Sequence, residues 1–179
     1  MINAAIVSFV IGLLPQPLIV GANVLYELRK RPEALRAARK AALSDDDETL
    51  QGIVFEAMRF APLAPALQRI AAEDTELFPG AWFNGRVKKG ETVMVVFASA
   101  MLDGRRVQSP TKFRPDRHPS YEMHFGFGHH MCFAHAINLR MIPSLLKPIL
   151  LRKNLQSARG GSGLRRRKLI FPTEFEVQQ

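Results

Sequence analysis

The run Phe125-Gly126-Phe127-Gly128-His129-His130-Met131-Cys132-Phe133-Ala134 holds the single cysteine of this chain. Gly126 and Gly128 lack a Cβ, so the backbone between them can turn sharply and approach a flat group closely. A lone thiol behind such a loop, followed by an apolar helical stretch, has the arrangement that a thiolate ligand to a haem iron requires. His130 is then placed to reach a carboxylate of the same group. A buried structural cysteine in a glycine-rich turn is the plainer reading, and the run by itself leaves both open.

Outward from this loop, Phe133 to Leu151 reads as a helix whose regularity Pro143 and Pro148 limit. Before the loop, Leu102 to Met123 is rich in Pro, Arg and Asp without periodicity, which predicts a long irregular segment, and such segments commonly carry function. Strand character marks Leu67 to Ala71, Arg86 to Val87 and Thr92 to Val96, with Lys88-Lys89-Gly90 as a hairpin-like turn. Three helices are expected earlier. Ile19 to Lys30 ends in basic residues that suit the macrodipole; Pro32 opens a second helix to Leu43. The oxygens of Ser44-Asp45-Asp46-Asp47 cap a third, Asp46 to Phe60, which stops before Pro62 and Pro65. On the third helix Glu56 and Arg59 stand three apart and share a face. Alone, such a pair is usually an exposed ion pair of little worth.

Three features in order, Glu56-x-x-Arg59, then Phe113-Arg114-Pro115-Asp116-Arg117, then the Cys132 loop, resemble the C-terminal half of cytochromes P-450. The loop matches that family's haem-binding pattern, Phe-Gly-x-Gly-x-His-x-Cys-x-Gly, except that Ala134 replaces the last Gly. The resemblance covers nearly the whole chain. It implies a mainly α fold with a small β component, equivalent to the C-terminal half of the cytochrome P-450 fold, with residues 1–179 as one partial domain. It also implies heme b (iron protoporphyrin IX) as cofactor and Cys132 as its metal ligand. Phe125, Gly128, His130 and Arg69 are implied cofactor-binding residues, Arg69 and His130 serving the two haem carboxylates. Glu56, Arg59 and Arg117 are implied to interlock as a buried charged network behind the cysteine loop, a structural task that requires every charge to be satisfied.

The departures shape the functional expectation. Counting back from the helix end at Arg31-Pro32, Pro15 and Gln16 fall where an oxygen-activating member of the family carries an acid and a threonine for proton delivery. Proline offers no side-chain proton, and Gln16 can only hydrogen-bond. Gly12, Leu13 and Gln16 would face the distal side, with Gln16 the candidate catalytic residue. Haem-thiolate oxidoreduction of the monooxygenase type is the leading reading. A reductase-independent hydroperoxide isomerase or peroxygenase is the rival, its partner a small apolar substrate such as a fatty-acid hydroperoxide. A non-catalytic haem-binding module or a truncated fragment is the reading outside enzymology. The family's chains are much longer, which suggests a missing N-terminal half or a second chain.

Composition sets the outer limits. With 179 residues and 47% hydrophobic content the chain can bury one sizeable core. A single cysteine permits no internal disulfide and suits a reducing compartment, read here as cytoplasmic. The apolar stretch Ala4 to Leu14 is too short for a spanning helix and carries no leading positive charge, although membrane association stays open. The formal charge is +9, and Arg152, Lys153, Arg159 and Arg165 to Lys168 crowd the end of the chain. These read as a solvated basic tail, alternatively as a docking surface for an acidic redox partner. Nucleic acid is not expected, because no aromatic side chain is interleaved with the basic cluster.

Overall fold

The computed structural model describes Val10, Gly12 and residues 15–80, 85–117 and 123–152, together with the strand backbones at 156–157 and 177–178. Three helices come first, α1 (Pro15–Arg29), α2 (Pro32–Leu43) and α3 (Asp47–Phe60). Four short strands follow, β1 (Leu67–Ile70), β2 (Thr75–Leu77), β3 (Gly85–Val87) and β4 (Thr92–Val95), then the short helix α4 (Phe97–Met101). The long helix α5 (His135–Leu150) and the strands β5 (Gln156–Ser157) and β6 (Val177–Gln178) complete the order. The protein is thus mainly α with a small β component.

Helix α1 starts earlier than its sequence suggests. Pro15 and Pro17 read as interruptions, yet both lie in the first turn, where a missing N–H costs nothing because that donor would be unpaired anyway. Helix α3 is capped as expected, the Asp46 carboxylate accepting from the Thr49 amide at 3.0 Å. Helix α5 runs through both of its prolines. Pro143 has no N–H for the Leu139 carbonyl, which accepts instead from Gln51 Nε2 on α3 at 2.6 Å.

The core lies among α1, α2, α3 and α5. Val24 and Leu28 of α1, Ala38 and Ala41 of α2, Leu50 and Val54 of α3, and Leu146 and Leu150 of α5 are all buried there. Each buried Leu or Val contributes on the order of 1.5–3 kcal/mol. Gly21 of α1 faces Leu146 of α5, and a Cβ there would meet that side chain in ordinary van der Waals contact at 3.6 Å.

The strands pair antiparallel as β1 with β4, Arg69 opposite Val93, and as β2 with β3, Glu76 opposite Arg86. Lys88-Lys89-Gly90 is therefore not a hairpin turn. It carries the chain from β3 in one ribbon to β4 in the other, and Gly90 takes a φ of 86° to make the bend. Sequence alone favoured a hairpin because local turn chemistry does not record which strand each arm will meet.

Candidate functional site

The loop from Phe125 to Cys132 is closed by its own backbone. The Cys132 amide donates to the Phe125 carbonyl at 2.7 Å, the Met131 amide to Gly128 at 3.0 Å, and the Gly126 amide to Met123 at 3.2 Å. This curl requires φ of 75° at Gly126 and 69° at Gly128, a region costly for residues with a Cβ. A Cβ on Gly128 would meet nothing within 4 Å, so the loop is open on that flank. Phe125 pins the loop to the body, its ring lying 6.0 Å from Phe55 on α3 and 4.9 Å from His135 at the start of α5.

Cys132 is half-buried and free. Its surroundings are apolar and open, with Phe127 87%, Phe133 66% and Met131 48% exposed. Apolar side chains left in water around a soft sulfur donor suit a flat, apolar, metal-bearing group. Among the described residues no carboxylate pairs with Arg69 or His130. Arg69, exposed on β1, spends one hydrogen bond on the Gln68 carbonyl at 2.8 Å, and His130 is exposed in the turn Gly128–His130. The Arg69 guanidinium and the His130 ring are both available to hydrogen-bond an anionic ligand. The residues present fit a haem in donor type, apolarity and charge.

The charged network is assembled and buried. Arg59 grips the Glu56 carboxylate with two bonds, Nε at 2.9 Å and a terminal nitrogen at 2.8 Å. Two further N–H groups donate to the carbonyls of Met101 at 2.9 Å and Lys112 at 3.3 Å. Glu56 accepts further from Arg117 Nε at 3.2 Å and from the Arg114 amide at 2.8 Å. Arg117 donates also to the carbonyls of Gln108, Ser109 and Lys112 at 2.7, 2.8 and 2.9 Å. Side-chain exposure is 3% for Glu56, 0% for Arg59 and 4% for Arg117, so this is an interior network despite its surface-like spacing. Gly52 makes it possible, because the Pro115 carbonyl sits 2.6 Å from where a Cβ would be, and the irregular segment lies directly on α3.

Some of the surrounding residues carry little sequence signal. Arg31 stacks on Phe60 at 4.3 Å and Arg59 also faces that ring at 4.5 Å, so one aromatic joins the end of α1 to the network. Glu27 pairs with both Arg31 and Lys30. Burial alone would raise the Glu27 pKa, but hydrogen bonds from Lys30 and Arg31 outweigh it and hold the carboxyl below its ordinary value. His124, directly before Phe125, stacks on Phe55 at 6.0 Å. Neither of its buried ring nitrogens has a partner at normal hydrogen-bond geometry, and burial pushes its pKa down to about 4.

The structure therefore brings Glu56, Arg59 and Arg117 together and gathers Phe125, Gly128, His130 and Cys132 in one closed loop. Among the described residues no hydrogen bond, ion pair or ring contact joins Arg69 or Gln16 to that loop. Gln16 is exposed in the first turn of α1 and Gly12 is half-buried. Leu13 lies outside the described residues, as do Lys153, Arg159 and Arg165 to Lys168 of the basic tail; Arg152 is exposed. Most of Ala4 to Leu14 is likewise outside them, and no helix among the described residues is long and apolar enough to cross a membrane.

Comparison with known proteins places this geometry. The family model described as Cytochrome P450 matches residues 22–161. The putative cytochrome P450 YjiB of Bacillus subtilis (strain 168) is 33% identical over 111 residues, 62% of this chain and 26% of that protein. The crystal structure of CalO2 superposes with a TM-score of 0.78 at 20% identity, covering 96% of this chain and 41% of its own. CYP109B1 from Bacillus subtilis gives a TM-score of 0.74 at 25% identity, covering 96% and 44%. The chain thus spans about a quarter of the length of YjiB and about two fifths of these solved chains.

Proposed function

The chain belongs to the cytochrome P450 family, and we propose that it carries the haem-ligating side of that fold, with Cys132 as thiolate ligand to heme b. The observation that supports this best is the Cys132 loop, with a free thiol held by the 2.7 Å bond to Phe125 and flanked by exposed Phe127 and Phe133. In this reading Phe125 and Gly128 lie against the macrocycle, while His130 and Arg69 reach its carboxylates. Residues 1–179 act as one partial domain. The haem, when bound, supplies electron-transfer and oxygen-transfer chemistry, and a thiolate ligand favours oxygen–oxygen cleavage.

The chain's own residues position and select. Glu56, Arg59 and Arg117 hold the irregular segment against α3, and Phe125 passes that order to the loop. Gln16 supplies a hydrogen bond on the distal side and no acidic proton, and Pro15 supplies none at all. That favours, within the same reading, a small apolar substrate that already contains an oxygen–oxygen bond over dioxygen with an external reductant. Arg152 and the basic residues after it would face an acidic electron donor if one is used.

The test is the absorption spectrum of the purified full chain with haem, with and without reductant and carbon monoxide. A red-shifted reduced carbon monoxide band is expected, and Cys132→Ser should abolish it, because no other thiol can substitute. Retention of that band in Cys132→Ser would refute the ligand assignment. Substrate preference is read separately, as product from a fatty-acid hydroperoxide against product from dioxygen, NADPH and a reductase pair. Well-coupled use of dioxygen would refute the peroxide preference, and failure of both would support a non-catalytic haem module.

A further inference from the structure

The outward side of α2 gathers cations around a groove. Arg36, Arg39 and Lys40 stand at i, i+3 and i+4, so all three lie on one side of the helix, and Leu43, one turn further on, shares it. The opposite side, with Ala38, Ala41 and Ala42, is buried. Arg36, Arg39, Lys40, Leu43 and Ser44 line an open groove of about 470 Å³. Arg36 and Lys40 are exposed, and Leu43 is 72% exposed. Arg39 is half-buried, and a terminal nitrogen of its guanidinium donates to the Arg152 carbonyl at 2.6 Å, which holds that charge beside the groove. Like charges four apart on a helix repel, and little on the protein offsets them. Glu33, 4.0 Å from Arg36, is 94% exposed, a pair of little worth, and among the described residues no carboxylate pairs with Lys40. The Ser44 hydroxyl donates to the Lys40 carbonyl at 3.0 Å, so the groove's donors to a ligand are its cations.

We propose that this groove binds a phosphate monoester, its dianionic group between Arg36 and Lys40 beside the Arg39 charge and its aliphatic substituent along Leu43. An arginine fork and a lysine ammonium together suit the several oxygens and double charge of such a group, and the exposed leucine side chain gains by being covered. The size of the ligand follows from the next residues in sequence. Asp45, Asp46, Asp47 and Glu48 come directly after Ser44. Asp45 and Asp47 are turned to Lys147 at 2.7 and 2.8 Å, and Asp46 to the Thr49 amide at 3.0 Å, so these three do not neutralise the groove. A broad acidic protein or a nucleic acid laid along α2 would nevertheless meet this acidic turn, whereas a compact ester would not. The groove is also distinct from the Cys132 loop. That loop precedes α5 and Arg152 follows it, with 16 residues, about 24 Å of helix, between them. The inference therefore goes beyond the haem reading, and its readout does not involve haem.

The experiment is calorimetric titration of the full chain with octyl phosphate. Saturable one-to-one binding is expected, and inorganic phosphate should bind more weakly because it leaves Leu43 uncovered. Arg36→Gln and Lys40→Gln should each weaken octyl phosphate about tenfold, the worth of a charge-assisted hydrogen bond, while melting curves stay unchanged because both side chains are exposed. Leu43→Ser should weaken octyl phosphate by roughly fivefold or more and leave inorganic phosphate as it was. Flotation with phosphatidylcholine vesicles containing phosphatidic acid separates two sources of the same group. Co-flotation that Lys40→Gln abolishes assigns a lipid headgroup; its absence beside octyl phosphate binding assigns a soluble ester, and either supports the site. Octanoate binding as tightly as octyl phosphate, unaltered affinity in the double variant Arg36→Gln with Lys40→Gln, or no saturable binding would overturn the proposal. So would an affinity for polyglutamate that exceeds that for octyl phosphate and is lost in the same double variant, which would mark an extended acidic partner.

Discussion

Replacing Arg59 by alanine should be among the most damaging single changes in this chain. The side chain is fully buried and donates to the Glu56 carboxylate twice and to the carbonyls of Met101 and Lys112. Its loss leaves Glu56 with Arg117 and the Arg114 amide, and leaves the Met101 carbonyl, in a residue 1% exposed, without that donor. Breaking a buried pair from one side costs about 3–5 kcal/mol. Because Arg117 stays, we place Arg59→Ala at about 3–4 kcal/mol. For a domain of this size each kcal/mol moves the midpoint by about 2–4 °C, so Tm should fall by roughly 6–16 °C. Urea titration followed by circular dichroism at 222 nm would show a lower midpoint with an unchanged slope. Arg59→Lys should lose less, since it keeps a charge but not the two-pronged fork. A double variant, Glu56→Gln with Arg59→Met, should cost less than the sum of its singles. A loss below about 1 kcal/mol for Arg59→Ala, the range of exposed pairs, would refute the argument that burial governs this network.

Gly52→Ala should destabilise the fold by about 1–3 kcal/mol in thermal melts, although alanine is the better helix former, because its Cβ would press on the Pro115 carbonyl at 2.6 Å. Gly128→Val should strain the loop at φ 69° and weaken haem retention more than global stability, measured by haem transfer to an acceptor protein beside the melting curve. Burial holds the folded pKa of His124 at about 4 against an ordinary 6.5, the Arg59 charge adding to that shift and the Glu56 charge opposing it. The unfolded chain therefore binds the proton first, and stability is full above pH 6.5 and falls as pH drops towards 4, by about 3 kcal/mol in all. His124→Phe should remove that part of the acid limb in urea midpoints recorded against pH, and an unaltered limb would show that His124 does not carry it.

Much of this architecture is legible in the chain where local chemistry decides. Pro32 and Asp46 mark where α2 and α3 begin because first-turn proline and carboxylate capping act within one turn of helix. The Cys132 loop is readable because glycine spacing is itself a backbone instruction. What is not legible depends on partners distant in sequence. Taken alone, Glu56 and Arg59 advertise a shared face and not its burial; only the family resemblance implied an interior network with Arg117, which Met101 and Lys112 help to close. The span of α5 through Pro143 is legible, but the donor that answers the Leu139 carbonyl is not, since Gln51 belongs to α3. The pairing of β3 with β2 likewise depends on a strand, Thr75–Leu77, too short to announce itself.

The bond from Gln51 to the Leu139 carbonyl makes the continuity of α5 conditional. In an isolated peptide, Pro143 divides the helix into stretches of roughly two turns, each well below the length at which a helix persists in water. Only when α3 arrives with Gln51 is the orphaned carbonyl answered, so the two helices should form as one kinetic unit, with α5 gaining amide protection no earlier than α3 docks. A nascent chain would then hold the Cys132 loop unset until this late helix closes, since the Cys132 carbonyl is tied to the first amide of α5 at 3.0 Å. Order in the Cys132 loop would follow assembly of the helical body, and on the proposed reading a haem offered earlier in folding would find no shaped seat.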